Sequence, residues 1–325
     1  MSHIETLTAL SQRPRNESRA YLPFPLQLER CVCPSCSAQE ADSLMAFDQF
    51  GFPVGTVECR QCGFVYTNPR PSETWMKEFY KTFFWFFFQG RRKINERFLQ
   101  RQKTREWAEL RFARCAPFIE GRKSILDIGA GCGLFLDRVR SEFPNLQTAG
   151  IEPDPTMAEF CRERLGLEVH QGFFQDYPFN RRFEVITLFH VIEHLFDLTA
   201  LFEFIHKHLA SGGLLIVEAP NVDGGWRTVY MIQLSHLHLF SPRTMKNLFA
   251  RNGFEVVCSE NLENNLDESN LFVVGRPSPE QSAHNCGRDL QESARVRAKF
   301  QDMPRMRMPL VLRAWIRLAY FALRR

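Results

Sequence analysis

The chain has 325 residues, 44% of them hydrophobic, with 41 Lys and Arg against 37 Asp and Glu for a net charge of +4. That length holds one full α/β domain and a smaller module, and the apolar fraction allows a sizeable core. No apolar run is long enough to span a membrane and the first twenty residues lack the core of a secretory leader, so a cytoplasmic protein with reduced thiols is expected. The ten cysteines are then free thiols or metal ligands.

In chain order, residues 1–28 read as a flexible tail and residues 29–70 as a small metal-binding module. Cys33-Pro-Ser-Cys36 and Cys59-Arg-Gln-Cys62 form two C-x2-C knuckles with twenty-two residues between them. Each knuckle brings two thiolates to one tetrahedral ion, so Cys33, Cys36, Cys59 and Cys62 are expected to hold a structural Zn2+. Four protein ligands close the coordination sphere and leave no open position for catalysis. So short a segment buries little core, and metal supplies its folding energy, about 10–16 kcal/mol for such sites. Cys31 lies off the knuckle spacing. Thr67 to Pro71 reads as an extended linker. Residues 71–120 read as a helical connector, interrupted by the aromatic run Phe83 to Phe88, for which packing, a substrate lid and a partner surface are all open.

Over residues 121–276 strands and helices alternate. Ser124–Ile128 has the short apolar run of a buried parallel strand. Gly129, Gly131 and Gly133 of LDIGAGCG let the backbone turn and approach a ligand, and a helix follows over Leu134–Glu142. A second strand, Gln147–Ile151, ends at Glu152, nineteen residues past Gly133, where a carboxylate can accept two ribose hydroxyls. The spacing is G-x-G-x-G rather than the G-x-G-x-x-G of a dinucleotide loop, and Asp127 beside it suits a cationic ligand better than a phosphate. Further strands are expected over Leu167–His170, Phe183–Leu188, Leu214–Glu218, Phe254–Ser259 and Leu271–Arg276. Helices are expected near Met157–Leu165, Ala200–Leu209 and Thr244–Asn252. Seven strands with right-handed crossovers make an α/β doubly wound sheet.

These residues resemble class I S-adenosylmethionine-dependent methyltransferases. LDIGAGCG is similar to their first motif and Glu152 to their ribose-binding acid. FEVITLFHVIEHLFD resembles the fourth-strand motif, LASGGLLIVEAPN the fifth, and HLHLFSPRTMKNLFARNGFEV the segment after it. With the zinc module in front, the whole chain is similar to bacterial methyltransferases with an N-terminal zinc ribbon, associated with sugar, surface-glycan or secondary-metabolite modification. The resemblance implies a mostly parallel seven-stranded sheet whose last strand lies antiparallel between the fifth and sixth. It also implies S-adenosylmethionine, held by Asp127, Gly129, Gly131, Gly133, Glu152 and Pro153. Many relatives place an acid against adenine after the third strand. This chain has Gly172-Phe173-Phe174 there, so a phenylalanine is expected to stack instead, with Phe174 and Phe189 on the cofactor side.

Methyl transfer from a sulfonium is an in-line displacement, so positioning alone supplies much of the acceleration. A sugar hydroxyl is barely ionised near neutrality and calls for a general base. His190 follows the fourth strand at the carboxyl edge of the sheet, and His236 and His238 lie in the loop beyond the fifth; these three are the candidate bases. The expected reaction is O-methylation of a hydroxyl on a small molecule, sugar or glycan precursor. A nucleic-acid acceptor is the alternative, disfavoured because the catalytic region is not basic. A non-catalytic binding protein is disfavoured by the intact glycines and Glu152. From Arg276 onward the chain carries eleven Lys and Arg against four acids, and residues 277–325 read as a linker followed by a basic amphipathic helix. With Arg313, Arg317 and Arg324 on one face, that helix could lie peripherally on an anionic membrane or dock on the fold.

Overall fold

The knuckle segment has only short extended runs, and its strands are correspondingly brief: β1 (Leu28–Glu29), β2 (Ala41–Met45), β3 (Thr56–Cys59), β4 (Val65–Thr67) and β5 (Arg70–Pro71). Three helices follow, α1 (Glu73–Thr82), α2 (Glu96–Arg101) and α3 (Thr104–Ile119). Alternation then begins with β6 (Ser124–Ile128), α4 (Leu134–Glu142), β7 (Gln147–Glu152), α5 (Pro155–Leu165), β8 (Glu168–Gln171), β9 (Phe183–Phe189), α6 (Leu198–His208) and β10 (Leu209–Pro220). The chain closes with β11 (His238–Leu239), α7 (Pro242–Arg251), β12 (Phe254–Glu263), β13 (Ser269–Pro277) and α8 (Leu290–Asp302). This computed structural model describes residues 25–49, 52–82, 94, 96–101, 103–178, 180–224, 231–263, 269–278 and 287–302. The Phe83–Phe88 run and Arg313, Arg317 and Arg324 lie outside them.

The chain divides into two units, Met1–Gly90 with Trp226–Leu239 and Gly287–Arg325, and Arg91–Gly225 with Phe240–Cys286. The first takes in more chain than the 29–70 module expected from the knuckles. Its antiparallel sheet runs β11-β4-β3-β2, so a strand from the segment after β10 completes it. Thr67, expected in a linker, is tied in: its N–H donates to Leu237 O at 2.9 Å and its hydroxyl to His236 O at 2.7 Å. Phe52, Phe64 and Tyr66 are fully buried, and Trp75 stacks on Phe79 at 4.9 Å.

The start of the basic tail also belongs to this unit, and two of its arginines meet acids. Arg288 and Arg297 both donate to the buried Glu58 Oε2, at 2.7 and 2.8 Å, and Arg297 reaches Asp42 Oδ2 at 2.6 Å. Arg60 closes the group from the other side, 2.6 Å from Asp42 Oδ1, and with Arg297 holds the Asp42 carboxyl down at about 2. Among the described residues no helix is long and apolar enough to cross a membrane.

The second unit is built on a seven-stranded sheet, β12-β13-β10-β9-β6-β7-β8. Strands β10, β9, β6, β7 and β8 are parallel, and β13 lies antiparallel between β10 and β12, the order the family resemblance implies. Ile125, Val185, Ile216 and Val274, one from each of four strands, pack with Leu136 and Val139 of α4 into its core. Helix α5 starts two residues before the expected Met157 because Asp154 accepts from Met157 N at 2.9 Å and Pro155 takes the first helical position. Strand β10 begins five residues before the expected Leu214, as a register shift between Leu209 and Leu214 absorbs Ser211-Gly212-Gly213.

Glu58 is almost fully buried and has two arginines as partners. Replacing both Arg288 and Arg297 by alanine leaves a buried carboxylate without them, and the first unit should lose about 3–5 kcal/mol in urea unfolding. A loss below about 1 kcal/mol would show that α8 contributes little to its stability.

Candidate active site

The glycine loop joins β6 to α4 through left-handed backbone at Gly129 (φ 77°), Gly131 (φ 55°) and Gly133 (φ 74°). A Cβ at Gly129 would sit 2.3 Å from Val191 Cγ2, so this glycine lets the loop close against the turn after β9. A Cβ at Gly131 would meet nothing within 4 Å, which leaves open space on that side of the loop. Gly133 is the N-cap of α4, so the positive end of that helix faces the loop.

Glu152, the last residue of β7, shapes the loop as well as facing it. Its Oε2 accepts from Gly131 N–H at 2.7 Å and its Oε1 from Asp154 N–H at 2.8 Å. Burial lifts its carboxyl to about 7, against the pull of those two N–H groups. Asp127, beneath the loop, accepts from the Thr187 hydroxyl at 2.7 Å, and burial lifts it to about 7 as well. Pro153 leads from Glu152 into the Asp154 cap. Two buried carboxyls beside open space make a site whose ionised form favours a cation.

Phe174 lies in a short turn after β8 and is buried, its edge on Phe204 at 5.4 Å. Phe189 ends β9 with Phe135 edge-on at 4.7 Å and the Arg111 guanidinium 5.0 Å from its ring centre. Both rings are therefore engaged by protein neighbours.

His190 stands just past β9 in left-handed backbone (φ 55°), strain that a non-glycine residue holds only where its surroundings fix it. Its N–H donates to Glu218 O at 2.9 Å. Its Nδ1 lies 3.3 Å from Glu193 Oε1, and its Nε2 3.4 Å from Glu218 Oε1 and 3.1 Å from the Asn270 amide. Burial works to remove its proton, but hydrogen bonds to Glu193 and Glu218 outweigh that and lift it to about 10. The His190 ring therefore stands between two carboxylates that favour its protonated form.

His236 and His238 belong to the other unit. His236 Nδ1 lies 2.8 Å from Met231 O and its Nε2 2.5 Å from the Gln233 amide, so both ring nitrogens are held by their own loop. His238 is buried in β11 with its ring 5.9 Å from Phe64. The His236 ring is thus held within its own loop, and the His238 ring packs beside Phe64.

Sequence reasoning passed over Glu218, Arg111 and Arg114. Glu218 is fully buried near the end of β10; Arg111 Nε lies 3.2 Å from its Oε1 and Arg114 Nη1 3.4 Å from its Oε2. Burial opposes its charge, yet Arg111 foremost and then His190 and Arg114 hold the carboxyl at about 2. One acid inside the apolar run Leu-Leu-Ile-Val-Glu-Ala was the available signal.

In the first unit the four knuckle cysteines converge, their Sγ atoms all within 4.8 Å of one another. Cys33 and Cys62 are 3.7 Å apart and Cys36 and Cys59 3.5 Å. Sulfurs at the corners of a tetrahedron about 2.3 Å from a central zinc lie about 3.8 Å apart, so the cluster fits such an ion. Cys31 turns instead toward Thr67 O, 3.9 Å away.

Residues 99–259 match the family model described as a methyltransferase domain. Among curated proteins, the chain is similar to dTDP-4-amino-2,3,4,6-tetradeoxy-D-glucose N,N-dimethyltransferase of Saccharopolyspora spinosa, 30% identical over 30% of this chain and 40% of that protein. It is also similar to malonyl-[acyl-carrier protein] O-methyltransferase 1 of Ilyobacter polytropus, 24% identical over 38% of this chain and 50% of the relative. The chain thus spans half or less of the length of these two relatives. A solved structure of a SAM dependent methyltransferase from Archaeoglobus fulgidus aligns with TM-score 0.44 and 20% identity, over 56% of this chain and 99% of that one.

The two loop glycines should respond differently to a methyl group. Gly131→Ala meets open space and should cost about 1–2 kcal/mol of left-handed backbone strain. Gly129→Ala adds a clash with Val191 and should lower the melting temperature further; equal losses would show that the loop does not close against Val191.

Proposed function

We propose that this chain, whose residues 99–259 match a methyltransferase domain, is an S-adenosylmethionine-dependent enzyme that transfers a methyl group to an oxygen of a small-molecule, sugar or glycan acceptor. The observation that carries the reading is the joint placement of Glu152 and the glycine loop, with open space at Gly131. S-adenosylmethionine, when bound, supplies an electrophilic methyl on a sulfonium. Glu152 is placed to accept from the two ribose hydroxyls, Asp127 and Glu152 to oppose the cofactor's positive charge, and Gly131 to let the loop backbone approach it. Pro153, Phe174 and Phe189 are proposed to border the cofactor. The acceptor is proposed to enter at the carboxyl edge of β9 and β10, where ligands of open α/β sheets bind.

Relatives named for a sugar-nucleotide amine and for a malonyl thioester span nitrogen and oxygen acceptors, so the relatives leave that choice open. A nucleic-acid acceptor is less favoured: Arg60, Arg288 and Arg297 of the first unit face Asp42 and Glu58, which offset the charge phosphates would need. For the four cysteines we propose a structural Zn2+, which Cys33, Cys36, Cys59 and Cys62 would hold with no position left for catalysis.

Cofactor affinity, measured by titration calorimetry, should fall about tenfold or more in Glu152→Ala, since each charge-assisted hydrogen bond contributes roughly 1.5–3 kcal/mol. An unchanged affinity removes the ribose role. The pH dependence has a fixed sign. Below about 7 the free protein carries protons on Glu152 and Asp127 that the cation-bound carboxylates release. Affinity should therefore rise with pH through about 7 and level off above it, with proton release visible as a buffer-dependent binding enthalpy; flat affinity contradicts the electrostatic role.

Elemental analysis of the purified chain should find about one zinc per molecule, lost when Cys59 and Cys62 are both changed to serine. Because the metal contributes about 10–16 kcal/mol to such modules, the first unit should unfold with it. A metal-free wild type that keeps its native circular dichroism refutes the site.

A further inference from the structure

The group around Glu218 is more elaborate than a cofactor loop requires. A carboxylate with no exposed surface costs several kcal/mol in lost hydration unless cations and donors replace the water. Here Arg111 and Arg114 approach from α3 and His190 from the turn after β9. The same residue holds His190 twice, through its carbonyl at 2.9 Å from the His190 N–H and through its carboxylate. On the other side of the ring, Glu193 Oε1 lies 3.3 Å from Nδ1. Glu193 is itself buried and has His194 Nε2 at 3.9 Å.

Both ring nitrogens thus lie within 3.4 Å of a carboxylate, an arrangement that favours the ring with both nitrogens protonated. The Asn270 atom 3.1 Å from Nε2 is its amide nitrogen, and a doubly protonated ring requires that amide to be turned so that its oxygen accepts instead. Among these groups the cations Arg111, Arg114 and His190 outnumber the anions Glu193 and Glu218. The ring is also not sealed: the His190 side chain is 27% exposed, and its neighbour Val191 packs on Gly129 of the glycine loop. A fixed positive ring therefore borders the place where acceptor and methyl donor meet in the proposed reaction.

We propose that Glu218 is a positioning residue that, with Glu193, clamps His190 as a fixed cation beside the acceptor, and that the acceptor oxygen arrives already ionised, as a carboxylate or acidic phenol. The inference rests on the methyltransferase reading above. The step balances without a base. The anionic oxygen forms its bond to the methyl carbon as the carbon–sulfur bond breaks, the bonding pair stays on sulfur, and ester or ether leaves with neutral S-adenosylhomocysteine. No proton is removed, so the absence of a free base at His190 carries no penalty. An amine acceptor would instead form an ammonium against the clamped cation.

The test follows the His190 ring by NMR in the full-length protein. In the wild type its Cε1–H resonance should stay at the imidazolium position from about pH 6 to about pH 9. In Glu218→Gln its titration should move down by about 1–3 pH units, and Glu218→Asp should restore most of the shift. Wild-type titration near that of a free histidine overturns the clamp, and needs no variant that might fail to fold. For the acceptor class, acetate and methylammonium serve as probes on the protein saturated with S-adenosylhomocysteine. Acetate should shift the His190 resonance saturably and methylammonium should not; the reverse, or no shift with acetate, overturns the anionic acceptor. If S-adenosylhomocysteine itself does not bind, the methyltransferase reading fails, while the wild-type titration still decides the clamp.

Discussion

Moving a carboxylate out of water costs several kcal/mol even after the protein relaxes, and this fold does so four times at one edge of a single sheet. Asp127, Glu152, Glu193 and Glu218 are all buried at or just beyond the carboxyl ends of β6, β7, β9 and β10. The parallel sheet makes this possible, because its strand ends open into a crevice where loops and helix termini can supply donors. The cost is met in two different ways. Asp127 and Glu152 are left with neutral donors, a threonine hydroxyl and two backbone N–H groups, and their carboxyls rise to about 7. Glu218 is surrounded by arginines and an imidazolium and stays ionised. The first pair is the one proposed to meet a cationic cofactor, whereas Glu218 already has its cationic partners in Arg111, Arg114 and the His190 ring.

The first unit faces a different constraint. Its strands are two to five residues long, and a sheet of that size is marginal alone. Three devices compensate. The four sulfurs converge, the aromatic residues Phe52, Phe64 and Tyr66 fill what core there is, and chain from outside the knuckle segment is recruited. His238 and Leu239 add a strand, and Arg288 and Arg297 bring α8 onto Glu58. A surface ion pair would be worth little, but a carboxylate as buried as Glu58 depends on its partners.

Where the signal is local, it was legible in the sequence. Ser124–Ile128 and Leu134–Glu142 stand at the expected residues because an apolar run, three glycines and an amphipathic stretch define both ends within a short window. The cysteine knuckles were legible for the same reason, since two thiolates three residues apart can only turn toward one point. Boundaries set by caps were missed by a residue or two, as at Asp154 and Pro155. What escaped was long-range. Arg111 and Arg114 look like solvent-facing helix residues until β10 brings Glu218 beneath them, more than a hundred positions along the chain. His190 illustrates the same limit: its position after the fourth strand and its neighbour Glu193 were readable, but the second carboxylate at its ring is Glu218, a residue from another strand.

The clamped His190 also bears on how a transfer of this kind gains its speed. When an anionic oxygen takes a methyl group from a sulfonium, two opposite charges disappear together. A fixed cation beside the oxygen stabilises the anion before reaction more than the partly neutralised transition state. It therefore aids capture of the acceptor and works slightly against the chemical step. The balance is favourable only if the charges are brought together out of water, where their collapse is worth most and hydration no longer holds the anion back. In the proposed reaction the buried carboxylates at Asp127 and Glu152 would do the complementary work on the other reactant, drawing in the sulfonium. On that proposal, an edge with anionic groups under one reactant and a cationic ring beside the other would select for an oppositely charged pair and leave the acceleration to their alignment.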